Sequence, residues 1–460
     1  MNTIRITKNQ YEDLRSNLLR HAPKEAAAFA LGGVFKTSDG WHFTFREVMY
    51  PQPSDYKVQG EARLEVSPVF LNRVISKAER EELTIASCHS HPFSTKSVTY
   101  SPSDDYGERA SAKTIYECLK EKQMGSLLFG KDTVIGRIWT SPEREPLPFD
   151  QIRIIDRRAI FKNIKDKQDY LSKLQEKIYA RQIFAFGKSG QAFLSSLVIG
   201  IVGLGGTGSN IAEQLARLGV SRFILVDHDI LEPSNRTRVY GSYPKRSFEF
   251  WRSENESKVS IAKRNIQRIQ PNARVETLPH SIINQKILSK LKGCDLIFSC
   301  VDRQAPRSVL NELSYQYYIP TIDLGVGLDV AKDRVTGGSA RVTLLAPGLP
   351  CLFCYGVIRP DVISAEFLDK NERAKRLREG YIPGLTDAPS VINFTTTVAG
   401  IAVSLMLDMF FGFSESKTNN IIFDFKNLSA SRLLAGEVSV CTCKERMGYS
   451  DYKSLSAPTE

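Results

Sequence analysis

Residues 198–219 read VIGIVGLGGTGSNIAEQLARLG. A short apolar run enters a turn holding Gly203, Gly205, Gly206 and Gly208, and apolar residues then recur at helical spacing. A strand that passes through a glycine turn into a helix directs backbone N–H groups and the positive end of the helix dipole at whatever sits above the turn, and phosphate is the ligand that suits. The next strand-like run, RFILVD, closes on Asp227, where a carboxylate can bind a ribose hydroxyl. Taken alone, these features fit any dinucleotide-binding fold and favour an NAD enzyme. The alternation continues through DLIFSCVD (295–302) and IPTIDLGVG (319–327), which predicts an α/β domain with a mostly parallel sheet.

The flanking residues favour polyphosphate chemistry over hydride transfer. RQIFAFGKSGQ precedes the glycine turn, and DHDILEPSNRTR, SKVSIAKRNIQRIQPN, CDLIFSCVDRQAPR and PCLFC follow it. Attack of a carboxylate on the α-phosphate of ATP builds negative charge that Arg, Lys and Mg²⁺ offset, and an oxidoreductase needs no such series. In this order the motifs resemble the ThiF-type adenylyltransferases, the core of ubiquitin-activating enzymes, over roughly residues 175–443. The resemblance implies ribose contact by Asp227, ATP contacts by Asn235, Arg238 and Lys258, and Mg²⁺ coordination by Asp302. It also implies that Arg181 enters the ATP site of a partner subunit, so that the chain is a homodimer through this domain. Cys351 and Cys354, with Cys441 and Cys443 of VCTCKE, fit a structural zinc site, although the second pair is Cys-x-Cys where the family usually has Cys-x-x-Cys. No cysteine lies between Cys354 and Cys441, where full activating enzymes carry a nucleophile, so the expected cycle stops at an acyl adenylate that a separate acceptor discharges. Cys88, Cys118, Cys294 and Cys300 read as core residues.

A second constellation lies near the N-terminus. The run LTIASCHSHP (83–92) has strand character, so His89 and His91 share one face and can share one metal. In the segment that begins YSPSDD, Ser101 reads as an N-cap, Pro102 as the first helical residue, and Asp104 falls in the first turn. Two imidazoles and one carboxylate leave the fourth position of Zn²⁺ open, the arrangement of a catalytic site. These residues, with Glu25 in PKEAAAFALGG, resemble the JAB (JAMM, MPN+) metalloprotease family. The resemblance implies that Glu25 is the general base and acid and that Ser101 helps hold the oxyanion. The loop from His91 to Asp104 is longer than the family's usual one, with Asp105 as the lesser alternative ligand.

The 460 residues are expected to form an N-terminal JAB/MPN α+β domain (1–148), a helical linker with the arginine element (149–195), a Rossmann-like ThiF adenylation domain (196–445) and a C-terminal tail (446–460). SPEREPLPFD (141–150) reads as the first boundary, residues 151–195 as mainly helical, and the last ten as disordered. The net charge of +11 owes part of its excess to 151–182, read as a solvated helix face in preference to a nucleic-acid groove. VAGIAVSLMLDMFFGF (398–413) falls short of a spanning helix and contains Asp408, so a core helix is expected, with no membrane partner. The N-terminus lacks a secretory h-region, and the cysteine usage suits a reducing compartment, so a cytoplasmic location follows.

Joined, the two resemblances imply one enzyme that cuts at the C-terminus of a ubiquitin-like β-grasp protein and adenylates that C-terminus, with a separate conjugating enzyme downstream. The fusion resembles those of bacterial ubiquitin-like conjugation operons, several linked to antiviral defence. The alternatives are a sulfur-carrier system for thiolation or cysteine biosynthesis, and adenylation of a tRNA base or small acid.

Overall fold

The computed structural model describes residues 1–164, 171–243, 256–368, 389–436 and 441–456 and divides into two compact units. The first comprises Met1–Lys167, Gln316–Tyr318 and Arg446–Ser454. The second comprises Gln168–Tyr315, Ile319–Glu445 and Leu455–Glu460.

The first unit runs β1 (Thr3–Thr7), α1 (Lys8–Leu19), β2 (Ala27–Thr37), β3 (Gly40–Met49), β4 (Tyr56–Gln59), β5 (Leu64–Val66), α2 (Pro68–Arg80) and β6 (Thr84–Ser90). It continues with α3 (Pro102–Cys118), β7 (Met124–Phe129), β8 (Val134–Trp139), β9 (Leu147–Pro148), β10 (Gln151–Ile155) and β11 (Ile160–Asn163). Its nine-stranded sheet has the order β11-β10-β1-β3-β2-β6-β7-β8-β9, and β4 and β5 form a separate hairpin. The period of two along each strand builds a core on both faces. Ala28, Ala30, Ala86 and Cys88 join Tyr11, Leu14 and Leu18 of α1, whereas Leu31 and Ile85 join Phe70 and Val74 of α2 and Ala112 and Ile115 of α3.

Two expectations fail here. Residues 151–163 are strands, not the start of a helical linker: β10 pairs in parallel with β1, and its five residues are all buried. Ile152 and Ile154 alternate as a strand requires, and the three- and four-residue spacing counted onward from Ile160 overlaps that alternation. The basic residues Arg153 and Lys162 therefore lie on strands and not on one helix face. Residues 165–170 lie outside the described residues, and helix resumes at α4 (Lys173–Ile178) and α5 (Ala180–Ser196). The C-terminal stretch is ordered through Ser456: Gly448 O accepts from Gly33 N at 2.9 Å and Thr44 Oγ1 at 2.8 Å, and Tyr449 and Leu455 are buried. Residues 457–460 lie outside the described residues.

The second unit continues with β12 (Val198–Val202), α6 (Gly206–Leu218), β13 (Arg222–Val226), α7 (Lys258–Ile269), β14 (Arg274–Leu278), α8 (Gln285–Leu291) and β15 (Leu296–Ser299). Then come α9 (Gln304–Tyr317), β16 (Thr321–Ala331), β17 (Arg334–Leu345), α10 (Pro360–Glu366), α11 (Ile392–Phe411), β18 (Asn420–Asp424), β19 (Ser429–Ser431) and α12 (Thr442–Glu445). The sheet order is β14-β13-β12-β15-β16-β17-β18-β19. Pairings are parallel from β14 to β16 and antiparallel from β16 to β19, so the sheet is mixed and not mostly parallel throughout. Its parallel half is Rossmann-like: the chain leaves β12 for β13 on one side and returns to β15 on the other, which opens a crevice above the carboxyl end of β12. Helix α11 has 20 residues, longer than the apolar run alone suggests, and meets the length and hydropathy of a membrane span. Half of it is buried inside the unit, however, and Asp408 accepts from Ser414 N at 2.7 Å, as in a core helix.

Candidate functional site

In the second unit the glycine turn sits in that crevice. Gly203 has φ +87°, a left-handed conformation that suits glycine, and a Cβ there would press on Cys300 O at 2.6 Å. A Cβ on Gly208 would overlap the carbonyl of Gly203, so α6 closes onto the turn only because Gly208 is bare. Gly205, the N-cap of α6, faces open space within 4 Å, and Gly206 packs beside Arg238. These features make a cradle of free N–H groups with a guanidinium at its edge, which fits a phosphate chain.

Asp227 ends β13 under the turn. Its Oδ2 accepts from Leu204 N at 2.6 Å and its Oδ1 from Asp229 N at 2.8 Å. Burial raises its pKa, opposed by those N–H donors and by Lys258. Lys258 Nζ donates to Asp229 Oδ2 at 2.7 Å from the first residue of α7, and Asn235 is buried in a one-turn helix between the two. The fold thus gathers Gly203, Gly205, Gly206, Gly208, Asp227, Asn235, Arg238 and Lys258 at one end of the parallel strands. Asp302 is exposed just beyond β15, the strand beside β12. Arg181 is exposed in the first turn of α5, and no contact between it and the glycine turn is found among the described residues. Sequence reading overlooked Arg307, whose NH2 donates to Val301 O at 2.7 Å and to Leu324 O at 2.9 Å, tying down the segment that carries Asp302.

Cys351, Cys354, Cys441 and Cys443 converge, with Sγ separations of 3.1 Å (351 to 441), 3.6 Å (354 to 441), 3.7 Å (351 to 354) and 3.8 Å (354 to 443). Tetrahedral zinc with Zn–S bonds of about 2.3 Å needs sulfur edges of about 3.8 Å, so the set fits that ion, and Cys-x-Cys serves as well as Cys-x-x-Cys. Shared hydrogen bonding within the set lowers the Cys351 pKa to about 5 and raises the Cys443 thiol. Cys88 and Cys294 are buried and Cys300 half-buried, but Cys118, expected in a core, is exposed at the end of α3.

In the first unit β6 delivers His89 opposite Ala27 of β2, and the chain leaving β6 brings His91 beside it. Ser101 caps α3: its Oγ accepts from Asp104 N at 3.2 Å, and its own N–H donates to Asp104 Oδ2 at 2.7 Å. That box aims Asp104 at the imidazoles, with His89 Nε2 3.2 Å from Oδ1 and His91 Nε2 3.5 Å from Oδ2. These separations match the edge of about 3.3 Å expected between nitrogen and oxygen ligands of tetrahedral zinc. His89 Nε2 is buried, and Asp104 Oδ1 at 3.2 Å is the group that faces it, so the pair could hold a cation between them. Burial lowers the His91 pKa, which favours the neutral form that a metal ligand needs. For Asp104, burial works toward a higher pKa, but His89 and the Ser101 donors outweigh it and hold the carboxyl well below its usual range.

Glu25 lies just before β2, its carboxylate 3.5 Å from His91 Nε2, and burial raises its pKa to about 7. The Ser101 hydroxyl donates to Asp104 Oδ2 at 2.8 Å and so orients that carboxylate. Asp105 turns away to Arg137, 2.6 Å from its NH1, and is not among the clustered ligands.

The profile of the ThiF family matches residues 179–444, so the first unit's main segment lies outside the match. Ubiquitin-like modifier-activating enzyme 5 of Drosophila virilis is 28% identical over 230 residues, covering 47% of this chain and 51% of that protein. The enzyme of that name from Oryza sativa subsp. japonica is 30% identical over 232 residues, covering 47% and 48%. The chain therefore spans about half the length of the relatives it matches. A crystal structure of E. coli MccB with MccA-N7isoASN aligns at 19% identity and a TM-score of 0.45, over 58% of this chain and 74% of that one.

Proposed function

Because this chain belongs to the ThiF family, we propose that it adenylates the C-terminal carboxylate of a ubiquitin-like or peptide substrate with ATP. The observation that carries the reading is the open cradle above β12, with Asp227 beneath it and Arg238 and Lys258 beside it. The N–H groups of the turn bind the phosphates, Asp227 takes the ribose, and Asn235, Arg238 and Lys258 orient the triphosphate. Asp302 holds Mg²⁺, which supplies charge neutralisation. A substrate carboxylate oxygen attacks the α-phosphorus, the bond to the β-phosphate oxygen breaks, and pyrophosphate leaves. Arg181 completes the site from a second subunit, and the four cysteines hold a structural zinc.

The convergence of His89, His91 and Asp104 supports a second activity in the first unit. His89, His91 and Asp104 would hold a catalytic zinc, which supplies Lewis acidity for amide hydrolysis. Glu25, desolvated beside that site, passes the proton between water and the leaving amine, and Ser101 fixes Asp104. The enzyme then trims or releases a β-grasp protein with C-terminal glycine in a reducing cytoplasm, as in bacterial conjugation systems tied to defence. The test is cleavage of a β-grasp protein extended beyond its terminal glycine: it should survive Asp302→Ala and stop in Glu25→Gln. Loss of cleavage in both variants, each folded, would refute separate sites.

A further inference from the structure

Behind the histidine pair lies a row of buried polar side chains that the chemistry above leaves unused. Ser126 of β7 faces Arg137 of β8 directly across the antiparallel pair, and Trp139 follows two residues on, so the three share one face of the sheet. Parallel pairing sets Ser87 against Ser126 and His89 against Leu128, which puts His89 on that same face. Glu108, one helical turn after Asp104, is 7% exposed and receives every donor of the row. Arg137 Nε donates to its Oε2 at 2.8 Å, Trp139 Nε1 donates to Oε2 at 3.1 Å, and the Ser126 hydroxyl donates to Oε1. With the Ser126 proton so committed, the 3.0 Å contact between the Tyr100 hydroxyl and Ser126 Oγ has the phenol as donor. The Arg137 guanidinium lies 3.6 Å from the centre of the Tyr100 ring and donates from NH1 to Asp105.

We infer that the buried Glu108 and the half-buried Arg137 form a clamp that orients the first turn of α3, so that of two adjacent carboxylates Asp104 alone faces the histidines. The inference rests on the zinc reading of that site. Tyr100 immediately precedes the N-cap Ser101 and Asp105 immediately follows Asp104, so one guanidinium grips both ends of the ligand-bearing turn. The Tyr100 ring also stands 6.3 Å from that of His89, so the same clamp braces the strand-borne ligand. A cation entering an unclamped turn meets two aspartates on neighbouring positions; Arg137 neutralises one and leaves the other free. Glu108 in turn holds Arg137 in place, because a largely desolvated guanidinium without a counter-ion is costly. Glu108 and Arg137 are thus positioning residues, acting through Tyr100 and Asp105.

The test is zinc affinity at the histidine site, read by chelator competition on the full chain. His89→Ala defines the zinc retained elsewhere, and the visible spectrum of the cobalt-substituted protein reports coordination. Arg137→Lys keeps the charge but loses the fork, and Tyr100→Phe removes only the hydroxyl. Both should weaken zinc binding, within about 10–100-fold and with Tyr100→Phe at the lower end, and both should alter the cobalt spectrum while far-ultraviolet circular dichroism is unchanged. Should Arg137→Lys fail to fold, the nearly isosteric Tyr100→Phe decides. Wild-type affinity and a wild-type cobalt spectrum in a folded variant would overturn the clamp, reducing it to a stability element. Equal zinc in wild type and His89→Ala would overturn the site reading beneath it.

Discussion

The backbone N–H of Leu204 and the carboxylate of Asp227, 23 residues apart, are joined by a 2.6 Å hydrogen bond that fastens the glycine turn to the end of the neighbouring strand. The other carboxylate oxygen accepts from Asp229 N, so both oxygens are engaged inside the protein. Asp227→Asn replaces one acceptor with an NH₂ group and leaves a buried backbone N–H without a partner. The loss should be about 1–3 kcal/mol of stability together with weaker ATP binding, as measured by denaturant unfolding and calorimetric titration.

Gly205 and Gly208 separate nucleotide binding from folding. Gly208→Ala forces its Cβ onto the Gly203 carbonyl, whereas Gly205→Ala meets nothing within 4 Å. Gly208→Ala should lower the melting temperature. Gly205→Ala should leave it unchanged but reduce ATP affinity, since its methyl occupies the phosphate cradle. Equal ATP affinity in Gly205→Ala and wild type would place the phosphates elsewhere.

The two proposed zinc sites, of different kind, imply two separable losses. The purified chain should carry two equivalents by elemental analysis, with Cys354→Ser and His89→Ala each removing one. Only the cysteine change should strongly destabilise the second unit, because Cys351 and Cys441 lie within its core. A disulfide in place of metal would be visible as a loss of titratable thiols.

Glu25→Gln keeps the shape and size of the side chain while removing its capacity to take up a proton. Amide cleavage should fall by about 10²–10⁴-fold, with zinc content intact. If metal were lost along with activity, Glu25 would instead be supporting a ligand.

The parallel half of the second unit was legible because its strands are continuous apolar runs punctuated by glycine, and helix α6 follows with a regular apolar stripe. The histidine pair, Asp104 and the four cysteines were legible from motif spacing together with the two family resemblances; strand alternation and the capping box set only local direction, and the tertiary fold brings each set together. Residues 151–163 were misread because Ile152, Ile154 and Ile160 suit either period until a sheet partner is present. β1 is that partner, and it lies about 150 residues away, as the Ile4 to Ile152 register shows. Arg307 and the Glu108–Arg137 pair went unseen for a related reason. They are ordinary surface charges by composition, and only burial against other elements gives them a role.

ATP–pyrophosphate exchange decides whether the adenylating site works apart from the histidine site. The assay uses the full chain with a β-grasp protein that ends in glycine. Exchange should depend on that protein, disappear in Asp302→Ala and persist in Glu25→Gln. Exchange untouched by Asp302→Ala, or a glycine turn that binds NADH and supports no exchange, would contradict the proposal.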